Sequence, residues 1–589
     1  MRAILATLLC LALPVAAQQA ADTVAPEGAG AGALRVPAML RASAEAKAAG
    51  RPVVARDWMI AAAHPLAVEA GAKVLDAGGT AADAMVAVQA VLGLVEPQSS
   101  GLGGGAFLVW HDGETGEITT LDGRETAPLA ATPRLFQDAE GRPLDFFEAV
   151  VGGRSVGVPG TPALMAEAQD RWGRADWAGL FDDAIRLAEE GFSVSPRLAG
   201  LVARDADRLS RFDTTRAYFL PGGTPLRAGD TLRNPAYAET LRILATEGHE
   251  PFYTGAIAKD IAAAVQGAKG NPGRLSTTDL AIYRVRERDA ACVPYRGYDV
   301  CGMGPPSSGG VTVGQILGLL APFDLAALGP DNPEAWRLIG DASRLAFADR
   351  GRYLADSDFV PVPVRGLLDP GYLRDRSRLL RGDDALPEVA PGTPEFDHAL
   401  DWGTGRTLSQ PSTSQISIVD SYGNALSMTT TIENAFGSRL MVRGFLLNNE
   451  LTDFSFASHE GGRPIANAVA PGKRPRSSMA PTILRRDGQP VLVLGSPGGS
   501  RIIGFVAKTI IAWADWGMDV QEAVALPHLV NRFGRYDIEP GAARLAPALE
   551  SLGYEVETRA LTSGLHAIEI GARLEGGADP RREGLVYGE

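Results

Sequence analysis

Apolar positions along the chain change period several times, and each change marks an element. A short apolar run at 58–64 (WMIAAAH) reads as a buried strand. Two Ala-rich stretches follow at helical spacing, 66–77, closed by Gly78 and Gly79, and 81–95. The loop EPQSSGLGGG then leads into a strand pair, AFLVW and EITTLDG. From about 160 to 265 the pattern is mostly helical, with Gly and Pro at its boundaries. PPSSGGVTVGQILGLL opens a further helix, and 334–352 forms an amphipathic one with Trp336, Leu338, Ile339, Leu345 and Phe347 among its apolar positions.

Periodicity is lost between 386 and 412, a Pro/Gly-rich polar stretch that reads as a long flexible segment. Alternation returns in QISIVD and ALSMTTTI, joined at SYGN as a hairpin, then in GFLLNN, TILRR and VLVLG. A last apolar helix begins near Gly499 and runs through IIGFVAKTIIAWA. Strands and helices mix without a regular βαβ rhythm, which predicts a layered α+β fold.

Composition narrows the class. The 589 residues are 45% hydrophobic and 21% charged, so most of the chain is expected to fold. A net charge of −14 argues against nucleic acid or an anionic membrane surface as partner. Residues 1–17 have the layout of a cleaved secretory leader, too short to span a bilayer, and no second run of 18 apolar residues follows. The mature protein is therefore expected to be soluble and periplasmic or secreted.

Past the leader only Cys292 and Cys301 remain. A turn at Arg296 and Gly297 would place them opposite each other, so they are either a cross-strand disulfide or two buried thiols. With seven scattered His, no zinc spacing is available.

Read singly, the chemical motifs are weak. GLGGGA at 101–106 lacks the preceding strand and following helix of a dinucleotide loop and reads as a tight packed turn. HExxH is absent, and no Ser stands three residues before a Lys. GSPGGSR at 495–501 is either an ordinary strand-to-helix turn or a source of free N–H groups at Gly498 and Gly499. KRPRSSM, Arg124, Glu433, Glu450 and Asp453 each read by default as solvated groups.

Taken in order, however, these blocks resemble the γ-glutamyltranspeptidase family of N-terminal nucleophile hydrolases. They run from AAAHPLAVEAGAKVLDAGGTAADAMVAVQAVLGLVEPQSSGLGGGAFLVW through DGRETAP, GVPGTPA and PPSSGGVTVGQIL to STSQISIVDSYGNALSMTTTI, FLLNNELTDFS, KRPRSSMAPTI and GSPGGSR.

The resemblance implies a four-layer αββα sandwich and self-cleavage between Ser412 and Thr413. A large subunit, 18–412, with a flexible tail at about 386–412, would pair with a small one, 413–589, as a heterodimer. Thr413 would be the nucleophile, with its new α-amine as base, and Thr431 would contact that amine or hydroxyl. Arg124, Ser477 and Ser478 would hold the α-carboxylate of a γ-glutamyl group and Glu450 and Asp453 its ammonium, while Gly498 and Gly499 would form the oxyanion hole.

The activity implied is hydrolysis of γ-glutamyl amides such as glutathione, or transfer of the acyl group to water or an amino-acid or peptide amine, with no metal or organic cofactor. Two departures stand out. Glu433 replaces an Asn common in the family, adding a carboxylate to the substrate shell or marking a different acyl group. The segment between Phe454 and Asn467 is shorter than the lid of some members, which predicts an open pocket. Alternatives are an acylase of the same superfamily acting on a glutaryl or other amide side chain, and a non-catalytic binding protein on this scaffold.

Overall fold

The computed structural model describes residues 34–398, 401–405 and 412–589. The expected leader, 1–17, and parts of 386–412 lie outside the described residues.

Two seven-stranded antiparallel sheets lie face to face. The first runs in the order Val53–Ala55, Leu574–Ala578, His566–Ile570, Gln489–Gly495, Thr482–Arg486, Tyr298–Met303 and Ala290–Tyr295. The second runs Leu585–Gly588, Met59–Ala62, Ser414–Val419, Ala425–Thr431, Gly105–His111, Ile118–Gly123 and Arg286–Arg288.

Helices cover both outer faces. Pro65–Asp76, Ala81–Val95 and Thr161–Trp172 pack on the second sheet through Ile416, Ile418, Leu426, Met428, Leu108 and Trp110. Gly309–Leu320, Pro333–Tyr353 and Ile502–Ala514 pack on the first through Val300, Leu484, Leu492 and Leu494. This is the four-layer αββα arrangement.

Strand alternation decides what lies between the sheets. Val419, Ala425, Met59 and Val109 meet Ile483, Val493 and Ile568 in an apolar inner layer. Nearer residue 413 the inner layer turns polar. Gln415 Nε2 donates to Ser427 Oγ (3.0 Å), Thr429 Oγ1 to Gln415 Oε1 (2.6 Å), and Ser427 Oγ crosses to the Leu494 carbonyl (2.8 Å). Buried hydroxyls thus join the sheets where the candidate nucleophile sits.

The hairpin Ala290–Tyr295/Tyr298–Met303 turns at Arg296 (φ 50°) and Gly297 (φ 82°), placing Cys292 opposite Cys301. A disulfide joins them, which settles the open choice.

Two sequence readings need correction. Residues 386–398 are aperiodic but fastened: Leu386 N donates to Asp341 Oδ2 (2.9 Å) and Gly392 N to Asp349 Oδ1 (2.7 Å), so carboxylates of helix Pro333–Tyr353 satisfy this loop's backbone. Of GFLLNN, only Phe445–Leu446 is strand. Asn448 breaks the ladder because its amide binds the Gly103 and Gly157 carbonyls instead, at 2.8 and 2.9 Å.

Candidate active site

Thr413 immediately precedes strand Ser414–Val419 in the middle of the second sheet, with backbone φ 135°. A β-branched residue is strained in that region, and the surroundings over-determine it. Ser412 Oγ donates to the Gln98 carbonyl (2.9 Å), Ser414 Oγ to Glu96 Oε2 (3.0 Å), and Arg582 Nη1 to the Thr413 carbonyl (2.9 Å). The three consecutive hydroxyls are therefore distinct: the outer two are anchors and the central one faces a cavity.

Strand register supplies Thr413's partner. Ser414 pairs with Thr430, so Thr413 comes beside Thr431, and its Oγ1 donates to Thr431 Oγ1 at 3.1 Å. Thr431 Oγ1 also accepts from Glu433 N at 2.8 Å, which fixes the hydroxyl that receives Thr413.

One cavity, with about 240 Å³ of empty space, is lined by Thr413, Thr431, Glu433, Arg124, Glu450, Asp453, Ser477, Ser478 and Gly499, together with Met479 and Ile502. Gly498 lies beside this lining.

Gly498 (φ 141°) and Gly499 (φ 59°) follow strand Gln489–Gly495 and open the turn into helix Ile502–Ala514. A Cβ at Gly498 would come within 2.6 Å of the Phe505 ring. Neither Gly498 nor Gly499 N–H donates to another described residue, so both are free to receive an oxyanion.

The charged shell is internally paired. Arg124 is fully buried, and its guanidinium binds Glu450 Oε1 and, at 2.5 Å, Asp453 Oδ2. Burial works against the Arg124 charge, but Glu450, Asp453 and Glu125 outweigh it and hold the guanidinium protonated. Burial lifts Glu450 to about 7 despite Arg124, and burial followed by the Glu450 charge raises its neighbour Glu125 well above the usual carboxylate range. Arg124 and the Glu450 and Asp453 carboxylates are thus each other's partners.

The site's geometry is matched by relatedness. The family model for Gamma-glutamyltranspeptidase matches residues 67–588. The chain belongs to the γ-glutamyltranspeptidase family. It is similar to the glutathione hydrolase proenzymes of Bacillus subtilis strain 168 (38% identity, 91% of this chain and 92% of the relative) and Escherichia coli K12 (35%, 90% and 91%). Among solved structures it is similar to a cephalosporin acylase from Bacillus halodurans (TM-score 0.80, 28% identity, 92% of this chain and 97% of that one) and to Helicobacter pylori gamma-Glutamyltranspeptidase (0.55, 36%, 57% and 96%).

Within this γ-glutamyltranspeptidase fold, the basic run at 473–476 is not the solvated loop its charge suggests. Lys473 Nζ donates to the Ala466 carbonyl (2.5 Å), Arg474 Nη2 to that of Arg284 (2.7 Å) and Arg476 Nη1 to that of Arg350 (2.8 Å). All three are buried braces that fix the serines following them. Arg124, Glu450 and Asp453, read singly as solvated, are buried as well.

Sequence reasoning missed Glu125, whereas the tight packed turn read at GLGGGA is present. A Cβ on Gly103 would lie 2.0 Å from the Leu446 carbonyl oxygen, and one on Gly104 2.0 Å from that of Thr431. The signal was present as glycines in a loop that needs close backbone approach. Gly104→Ala is therefore expected to push Thr431 away from Thr413 and lower kcat by roughly 10²-fold, measured by steady-state kinetics.

The segment after Phe454 forms a small ribbon, His459–Glu460 with Arg463–Pro464, tied to 403–404 through Gly403 N to the Pro464 carbonyl (2.9 Å) and Thr404 N to Glu460 Oε2 (2.6 Å). None of 455–467 lines the cavity.

Among the described residues, no helix is long and apolar enough to cross a membrane.

Proposed function

We propose that the chain is a precursor that cuts itself between Ser412 and Thr413 and then hydrolyses or transfers γ-glutamyl groups. The observation that carries this reading is the cavity in which a strained, strand-edge Thr413 hydroxyl meets one guanidinium, two serines and three carboxylates.

In the first stage Thr413 Oγ1 attacks the Ser412 carbonyl carbon, the C–N bond breaks, and an ester links Ser412 to the hydroxyl. Water resolves the ester and leaves Thr413 with a free α-amine. With an ordinary pKa near ~8, this amine accepts the hydroxyl proton during catalysis.

In the second stage Oγ1 attacks the γ-carbonyl. The Gly498 and Gly499 N–H groups meet the oxyanion, and the departing amine takes the proton. Water or an acceptor amine then releases the acyl group. Arg124, Ser477 and Ser478 receive the substrate's α-carboxylate, and Glu450, Asp453 and Glu433 its ammonium. With none of 455–467 lining the cavity, water is expected to compete well with acceptors.

An acylase reading is favoured by similarity to the cephalosporin acylase of B. halodurans and to the Acylase ACY 1 proenzyme of Pseudomonas sp. strain SE83 (33% identity). A glutaryl group, lacking an ammonium, would leave three carboxylates facing an anion. The test compares γ-glutamyl with glutaryl 4-nitroanilide. A preference of at least ~10²-fold for the γ-glutamyl compound is expected, and no preference overturns the substrate assignment.

Glu450 must be ionised to hold an ammonium, so KM for the γ-glutamyl compound is expected to rise as pH falls below about 7, where Glu450 gains a proton. Glu450→Gln should raise KM and flatten that limb of the KM–pH profile. Export to the periplasm or medium is supported by the leader-like 1–17 and by the Cys292–Cys301 disulfide. After cleavage the two chains are expected to remain a heterodimer.

A further inference from the structure

Arg350, on helix Pro333–Tyr353, is a buried cation with no carboxylate partner among the described residues. Its side-chain hydrogen bonds both go to serines: Nε donates to Ser308 Oγ (2.8 Å) and Nη2 to Ser478 Oγ (2.7 Å). Burial, and then the neighbouring Arg476, work against its charge while Asp453 supports it, and a guanidinium stays protonated in proteins. Holding such a charge without a direct ion pair is costly. A residue retained only for packing would be better served by an apolar side chain.

What Arg350 touches identifies its use. Ser478 lines the active-site cavity and makes no other hydrogen bond to a described residue. With one lone pair taken by Arg350, its hydroxyl proton is left to point into the cavity as a donor. The second branch runs through PPSSGG, the motif that the catalytic assignments leave without a role. Ser308 accepts from Arg350, and its Oγ and backbone N donate to the Ser477 carbonyl at 2.5 and 2.9 Å. Ser307 Oγ holds the Met479 carbonyl at 2.6 Å. One guanidinium thus fixes both the hydroxyl and the backbone of the serine pair.

We propose that Arg350 is a positioning residue for recognition of the substrate's α-carboxylate, orienting Ser478 directly and Ser477 through Ser308. This rests on the γ-glutamyl reading above. Arg124 is paired with Glu450 and Asp453, and Arg350 adds a second positive charge behind the serine pair.

The test uses two anilides that differ in one group. L-γ-Glutamyl 4-nitroanilide carries the α-carboxylate, and 4-aminobutyryl 4-nitroanilide keeps the amine but lacks it. Arg350→Met is expected to raise KM for the first by about 10- to 100-fold with kcat within about 3-fold, and to change kcat/KM for the second by less than about 3-fold. Discrimination between the two should fall by the same factor. In a double-mutant cycle, adding Arg350→Met to Ser478→Ala should cost much less than it does in the wild type.

An unchanged KM, an equal loss on both substrates, or full additivity with Ser478→Ala overturns the assignment. Denaturing electrophoresis reports whether the variant folds and processes. If Arg350→Met does not accumulate in cleaved form, Arg350→Lys carries the same comparison, because it keeps the charge but cannot bind both serines in a fork. A wild type without γ-glutamyl activity refutes the functional reading instead; an active wild type with an indifferent Arg350 variant refutes only this inference.

Discussion

Thr413→Ala leaves a single uncut chain on denaturing electrophoresis and reduces γ-glutamyl anilide turnover by more than about 10⁴-fold. Both effects have one cause. The hydroxyl that donates to Thr431 Oγ1 at 3.1 Å is the only group proposed to attack either the Ser412 carbonyl or the substrate. Without it the chain is not cut, so no α-amine is produced to act as base. Ser412 and Ser414 do not substitute, because their hydroxyls are committed to the Gln98 carbonyl and to Glu96. Two fragments with the native cleavage point in Thr413→Ala would show that processing does not use this hydroxyl.

Arg124→Ala has the second large effect, and it is double. Substrate loses its bidentate carboxylate partner, so KM for the γ-glutamyl compound rises by roughly 10²-fold or more. The protein also loses the cation between Glu450 and Asp453, leaving buried carboxylates unpaired at a cost of about 3–5 kcal/mol. Denaturant titration of the variant reads the second effect and steady-state kinetics the first. Adding Glu450→Gln and Asp453→Asn should recover much of the stability and none of the affinity. An unchanged KM in Arg124→Ala would place the carboxylate elsewhere.

Local pattern carried much of the fold and little of the site. The Ala-rich run predicted at 81–95 is the helix Ala81–Val95, because a helix buried on every side still needs good helix formers, a Thr80 cap and an end at the Pro-containing loop. The SYGN hairpin likewise follows from its turn residues, and the Thr413–Thr431 contact follows from that hairpin's register.

The charge logic of the site had no such local signature. Arg124 and Glu450 are 326 positions apart, and nothing near either predicts that they meet. Lys473, Arg474 and Arg476 read as solvated because basic clusters usually are, whereas here carbonyl oxygens of distant loops receive them. Arg350 lies in a helix whose amphipathic pattern makes an arginine unremarkable, and only the fold brings it to Ser478. The family's ordered motifs bridged that gap by naming residues whose proximity the chain's own patterns do not encode.

Cutting between Ser412 and Thr413 divides the chain but not the sheets. In the second sheet, Met59–Ala62 of the upstream part is hydrogen-bonded on both sides by downstream strands, Leu585–Gly588 and Ser414–Val419. Ala425–Thr431 is in turn paired with upstream Gly105–His111. The two polypeptides so produced would be woven rather than docked, so separating them would mean unfolding both. Their association is governed by the rate of global unfolding and not by a dissociation constant, and dilution alone does not part them.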